Sequence, residues 1–181
     1  MPEQLEIRIE MLQRGDPHVH LLPDQIKWSY ETEFVFELEG KDTPAGYTWS
    51  LVRKGVAPLL KKETRWTPFS SGQGARCYGA FIGKQPVGFI EFTIDGQAKT
   101  TEIVTLVVAE AHRRQGVARK LVEVAETATR HAKAARVYAE CESTNMPGLE
   151  AMRRIGFEFS GFSGSNGPGQ PVRLFLSKAQ K

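Results

Sequence analysis

The stretch EIVTLVVAEAHRRQGVARKLVEVAE, residues 102–126, decides the fold. Its opening segment, Thr101–Val108 (TEIVTLVV), is apolar and β-branched and reads as a strand. Beyond HRRQG the pattern changes. Val117, Leu121, Val124, Ala125, Ala128 and Ala132 recur at spacings of three and four, which predicts a helix from Val117 with one apolar face. Arg119, Lys120, Glu123, Glu126 and Arg130 fall largely outside that stripe. Between strand and helix stand Arg113, Arg114 and one glycine, Gly116. The first N–H groups of a helix have no intrahelical acceptor, and the macrodipole leaves partial positive charge there, so this junction suits an anion. Gly116 permits positive φ and close approach of a ligand to the backbone, while Ala118 keeps the next turn narrow. Arg113, Arg114 and Arg119 add charge suited to phosphates. From spacing alone, a plain helix start with solvated arginines fits these residues as well.

Working outward, CYGAFIGKQPVGFIEFTIDG reads as two strands, Tyr78–Ile82 and Val87–Ile94, joined by the turn GKQP. With Thr101–Val108 they predict an antiparallel meander. Downstream, Arg136–Cys141 reads as a strand and Pro147–Arg154 as a short helix stopped by Gly156. Phe157–Phe162 and Val172–Leu176 follow as closing strands around the loop GSNGPGQP. Upstream, SSGQGAR marks a loop near Gly72–Arg76, and Glu33–Leu38 (EFVFEL) alternates like a strand. GKDTPAG reads as a turn, and Tyr47–Glu63 as helical with Pro58 as an interruption. The first strand is either Leu5–Met11 or Glu33–Leu38.

At 181 residues the chain fits one domain, in which residues 1–76, 77–162 and 163–181 read as successive parts, the last a C-terminal strand and tail. Lys plus Arg number 24 against 21 Asp plus Glu, a mild +3 that does not suggest a nucleic-acid partner. Cys77 and Cys141 lack any CxxC or Cys/His ligand spacing, so the expectation is no metal, no disulfide framework and a reducing cytoplasm. His18 and His20 form HVH, two imidazoles without a third ligand nearby, which reads as loop or surface. The N-terminus lacks the apolar run of a signal peptide and no eighteen apolar residues occur together, so no membrane partner is expected.

RRQGVA, Arg113–Ala118, resembles the (Q/R)xxGx(G/A) signature of the GCN5-related N-acetyltransferases. The preceding strand, the following helix, the next strand and the closing GF also stand in that family's order, over Cys77–Phe162. The resemblance implies an α/β (α+β) fold: a mixed, mainly antiparallel central sheet with flanking helices and a V-shaped splay between two parallel strands. It implies acetyl-CoA as co-substrate, its pantetheine arm held by the backbone of Leu106, Val107 and Val108. The pyrophosphate would be wrapped by Arg113, Arg114, Gln115, Gly116, Val117, Ala118 and Arg119. Asn145, in TNMPGLEAMRRIGF, resembles the family's cofactor-contacting asparagine before the next helix. The segment CYGAFIGKQPVGFIEF together with STNMP also looks like the streptothricin acetyltransferases within that family.

An amine attacks a thioester only in its neutral form, so such an enzyme needs a route for the ammonium proton to a base. Glu102 is the first candidate: it shares the parity of Val104 and Leu106, and its place before IVTLVV resembles the general-base glutamate of histone-type family members. Glu91 competes, because in VGFIEFTI it interrupts an apolar strand where a lone acid is costly to bury. Many family members protonate the leaving CoA thiolate with a tyrosine, and the matching position here is Met152, which cannot donate a proton. Tyr138 or water could serve instead, although Tyr138 also reads as a packed strand aromatic and Cys141 as a small buried hydrophobe. Trp28, Tyr30, Phe34 and Phe36 alternate and could line an amine pocket, or belong to the core.

The expectation is an N-acetyltransferase that moves acetyl from acetyl-CoA to a primary amine of a small cationic acceptor, such as a streptothricin-like antibiotic, by direct attack in a ternary complex. A protein N-terminal or lysine acceptor is the alternative, and a non-catalytic acyl-CoA-binding regulatory module is the alternative of another class. A homodimer is compatible with all three.

Overall fold

A computed structural model of the protein describes residues 6–164 and 171–180; Leu5 of the expected first strand and most of the GSNGPGQP loop lie outside them. The chain divides into two compact units.

The first unit comprises residues 1–29, 63–139 and 178–181. Its sheet is built from β1 (Ile7–Met11), β4 (Arg76–Ile82), β5 (Gln85–Asp95), β6 (Thr100–Val108) and β7 (Arg136–Glu142), in the order β1-β4-β5-β6-β7. Every pairing is antiparallel except β6 with β7, which is parallel. The expected meander is therefore β4-β5-β6. The whole of β5 from Val87 to Phe92 is buried, as a central strand covered on both faces must be.

Helix α2 (Val117–His131) covers one face, burying Val117, Leu121, Val122, Ala125 and Ala128. Val122 takes the buried place expected of Val124, and Ala132 is exposed. Each large side chain so buried stabilises the unit by roughly 1.5–3 kcal/mol. The helix sits close because β5 offers Gly88 beneath it, where a Cβ would come within 2.8 Å of Val117 and 3.0 Å of Leu121. Thr129 Oγ1 donates to Thr101 Oγ1 at 2.8 Å, satisfying two hydroxyls between helix and sheet.

The opposite face carries the core of Leu12, Val19, Leu22, Ile26, Trp66, Cys77, Phe89 and Val107. Val19–Leu21 is a 3-10 turn leading into the short helix α1 (Leu22–Gln25), elements without a periodic signal in sequence. Trp66 packs at a tilt of 34° on Phe89 with centroids 4.5 Å apart, and its indole N–H donates to the Ile26 carbonyl at 2.9 Å.

The second unit comprises residues 30–62 and 140–177. Most of β2 (Trp28–Thr43) and β3 (Gly46–Thr64) form a two-stranded ribbon in it, so Glu33–Leu38 lies in a strand as expected, while Tyr47–Glu63 is strand rather than helix. The apolar spacing there imitates a helix, but the charges fit a ribbon, each pair adding little stability at the surface. Lys54 bridges Glu37 at 2.6 Å and Glu39 at 3.0 Å, and Lys61 meets Glu31 at 2.6 Å, pairs that need two strands side by side. Arg53 lies 3.7 Å over the Phe34 ring. Pro58 is tolerated because a two-stranded ribbon consists only of edges.

In the same unit α3 (Met146–Ile155) is capped by Asn145, and its stop is Gly156 in the left-handed conformation at φ +104°. β8 (Glu158–Ser163) pairs antiparallel with β9 (Arg173–Ala179). Among the described residues no helix is long and apolar enough to cross a membrane.

Candidate active site

The site begins with one surplus residue in β6. Glu91 of β5 lies opposite Thr105 and Phe92 opposite Ile103, so Val104 has no counterpart and forms a bulge. A bulge bends its strand and raises the local twist. The parallel ladder to β7 runs over Thr100–Ile103 and Arg136–Ala139 and ends where the bulge starts. Leu106, Val107 and Val108 therefore lie past the end of that ladder. Their pairing is to Ile90, Phe89 and Gly88 of β5 on the other side. The bulge stands where the expected splay would begin.

Next comes the junction. Arg114 takes φ +66° and Gly116, the residue before α2, takes φ +85°, both left-handed. Only glycine enters that region without cost, and at Gly116 a Cβ would meet nothing within 4 Å, so the side facing it is open. No side chain caps α2 and no acid stands in its first turn. The leading N–H groups and the positive end of the dipole therefore have no side-chain anion of the first turn beside them. Arg113 is already engaged: its Nη2 donates to the Ser29 carbonyl at 2.5 Å and its Nε to the Val108 carbonyl at 3.3 Å. It braces the loop against the end of β6. Gln115 Nε2 likewise donates to Ala111 O at 3.0 Å, whereas Arg114 and Arg119 extend into exposed positions.

The bulge also redistributes the acids. Strict alternation puts Glu102 on the side of Leu106, but the observed register pairs Glu102 with Thr93 and Leu106 with Ile90. Thr93 and Ile90 point to opposite faces of β5, so the expectation from parity fails at the extra residue. Leu106 and Val108 share the α2 face with Gly88, while Glu102 shares the other face with Glu91, Thr93 and Thr105. On β7 the register partner of Glu102 is Tyr138, so Thr93, Glu102 and Tyr138 form a row across three strands. Glu102 is exposed, with Thr93 and Tyr138 half-buried on either side. An exposed carboxylate beside a phenol can take a proton and return one.

Glu91 is placed otherwise. It is fully buried at 0% exposure, and its carboxylate accepts from Ser70 N at 3.1 Å, Ser71 N at 2.7 Å, Ser71 Oγ at 2.5 Å and Ser70 Oγ at 3.3 Å. Its strand partner Cys77 is also buried, and burial pushes that thiol up to about 12. Sequence reasoning missed Ser70, Ser71 and the Glu102–Tyr138 pairing, because cross-strand register and loop folding leave no local pattern.

In the second unit, Asn145 Oδ1 accepts from Gly148 N at 3.0 Å as the cap of α3. Met152 is buried in α3, and Cys141 donates to Asn145 O at 3.8 Å, its thiol raised to about 12 first by burial and then by the Glu142 carboxylate. Tyr30, one of the alternating aromatics, is buried with its hydroxyl 2.9 Å from Thr144 Oγ1, and burial raises its pKa. Trp28 packs on the first unit's core, and Phe34 and Phe36 are half-buried. His18 and His20 are exposed, flanking the buried Val19.

Fold and junction together define a class: an N-acyltransferase that draws its acyl group from coenzyme A. The chain matches the Acetyltransferase (GNAT) family over residues 32–157 and belongs to that family, so it is an enzyme that uses acetyl-CoA as co-substrate to acetylate an amine. It is 31% identical over 149 residues to the streptothricin acetyltransferase of Escherichia coli, covering 79% of this chain and 82% of that one. Its fold is that of a nourseothricin acetyltransferase crystal structure, with a TM-score of 0.79, 24% identity and coverage of 97% and 99% of the two chains. A protein of Bacillus anthracis str. Ames assigned as a streptothricin acetyltransferase, solved in complex with acetyl coenzyme A, superposes with a TM-score of 0.75 at 16% identity over 98% and 99% of the chains. The reading as a non-catalytic binding module falls away.

Proposed function

We propose that the chain acetylates a primary amine of a small cationic acceptor of the streptothricin class. The observation that carries this reading is the 31% identity to the Escherichia coli streptothricin acetyltransferase, sustained over 79% of the chain. In this reading the backbone of Leu106, Val107 and Val108 takes the pantetheine arm, and the loop from Arg114 to Arg119 takes the pyrophosphate, with Arg113 bracing it. Glu102 accepts the proton of the attacking ammonium, directly or through water. Tyr138, its neighbour on β7, supplies a proton to the CoA thiolate as the C–S bond breaks and the C–N bond is made. This answers the loss of the usual tyrosine at Met152.

Glu102 is favoured over Glu91 because a base must reach the amine, and an exposed carboxylate can do so. All four donors on Glu91 are internal. The acceptor is tested by CoA release from acetyl-CoA with a panel: nourseothricin, an aminoglycoside, lysine-containing peptides and peptides with free N-termini. A streptothricin-class acceptor is expected to exceed the peptides in kcat/KM by about 100-fold or more. A peptide preferred to the antibiotic would overturn this reading in favour of a protein acetyltransferase.

A further inference from the structure

Glu91 has a buried carboxylate that the chemistry does not require. Two backbone amides and two hydroxyls, all from Ser70 and Ser71, converge on it at 2.5–3.3 Å. A carboxylate sealed at 0% exposure is tolerable only where such donors meet it, so strand and loop fix one another. The loop is held at its ends as well. Arg14 Nη2 donates to the Gly72 carbonyl at 2.6 Å, and the Arg14 guanidinium lies 5.1 Å from the centre of the Phe69 ring. Phe69 itself adopts φ +59°, a conformation that a free loop would leave.

What this clamp holds in place is decided by the sheet. Glu91 and Glu102 project from the same face, on adjacent strands, one step apart through Thr93. Segment Phe69–Gly72 therefore covers the part of that face next to the exposed Glu102, with Ser70 exposed along its rim and Ser71 half-buried. We propose that Glu91 is a positioning residue: it holds loop Phe69–Gly72 as a wall of the acceptor site beside Glu102. A loop clamped in this way sets the angle at which an amine meets the Glu102 carboxylate. Small misplacements in such a wall weaken acceptor use without touching proton transfer.

This inference rests on the assignment of Glu102 as the base, and its test separates the two. Glu91→Gln replaces one accepting oxygen with an amide that confronts N–H and O–H donors. Ser70→Ala/Ser71→Ala removes only the hydroxyls and leaves both backbone amides on Glu91, which keeps the test open where the glutamine variant fails to fold. Each is assayed with whichever acceptor the wild type prefers, so a peptide preference overturns the acceptor reading and leaves this test intact. The expected result is an acceptor KM raised about tenfold, kcat within about threefold of wild type, an unchanged pH profile of kcat and unchanged acetyl-CoA affinity. Glu91→Asp is expected to recover part of the loss. Two outcomes overturn the proposal. A kcat reduced about 100-fold with its acidic limb lost and acceptor KM unchanged makes Glu91 the base. Wild-type acceptor KM in the serine variant or in a folded glutamine variant removes the loop from the acceptor site.

Discussion

Replacing Gly116 tests most directly the proposal that this junction binds the cofactor's phosphates. At φ +85° an L-residue is strained, and for alanine the strain is the whole effect, because its Cβ would meet nothing within 4 Å. Left-handed backbone costs a non-glycine residue about 1–2 kcal/mol. The loop is exposed and lacks a side-chain cap, so in the free protein it can relax away from the left-handed conformation and the cost falls on binding. With about 1.4 kcal/mol per tenfold in affinity, Gly116→Ala is expected to weaken acetyl-CoA binding by about 5- to 30-fold. Gly116→Val should lose more, since branching at Cβ narrows the choices further and sets a methyl group where phosphate is expected. Titration calorimetry gives the affinity, and thermal unfolding of the free variants shows whether the cost has moved into folding. Both variants binding within twofold of wild type, or a lowered melting temperature with unchanged affinity, would refute the reasoning.

Glu102→Gln should lower kcat by about 100-fold or more at neutral pH and remove the acidic limb of the kcat profile, with acetyl-CoA affinity kept; steady-state kinetics across pH checks this. Tyr138→Phe should reduce turnover of acetyl-CoA more than that of an acyl thioester with a more acidic thiol, since a good leaving group needs no proton; equal loss on both would count against a donor role. Asn145→Ala removes the bond to Gly148 N and should cost about 1 kcal/mol, a fall of about 2–4 °C in melting temperature. Cys77 and Cys141, raised from 9.0 to about 12 chiefly by burial, stay protonated at pH 8 and should react with iodoacetamide only on unfolding. Because the folded state holds these protons more tightly, their contribution to stability is complete below pH 9 and declines as pH rises towards about 12, which denaturant titrations in that range would detect.

The parts of the fold that could be read from sequence are those in which one periodicity dominates. The meander β4-β5-β6 and the helices α2 and α3 carry strong patterns with glycine or proline at their ends, and they stand close to where those patterns predict. Residues 46–64 deceived for a physical reason. In β3 the alternation of exposed and half-buried residues is interrupted, with Gly46–Ser50 exposed throughout, and the ion pairs of Lys54 with Glu37 and Glu39 join residues on opposite sides of the turn. The left-handed Gly116 at the head of α2 was legible because a glycine where strand periodicity gives way to helix periodicity is a local signal. The grouping of Glu102 with Tyr138 and of Glu91 with Ser70 and Ser71 was not, since each depends on register between distant segments.

Val104 joins these observations. Without an extra residue in β6, alternation would carry Glu102 to the side of Leu106 and Val108, the side covered by α2. There its carboxylate would compete with the backbone assigned to the pantetheine arm. With the bulge, the strand after Val104 lies past the end of the ladder to β7, while the strand before it keeps Glu102 beside Tyr138 on the opposite face. One unpaired residue thus divides a single strand in two: the C-terminal part is paired to β5 past the end of the β7 ladder, and the N-terminal part carries a carboxylate on the opposite face. Bulges gather where a strand must re-aim its side chains, and the re-aimed side chain here is Glu102.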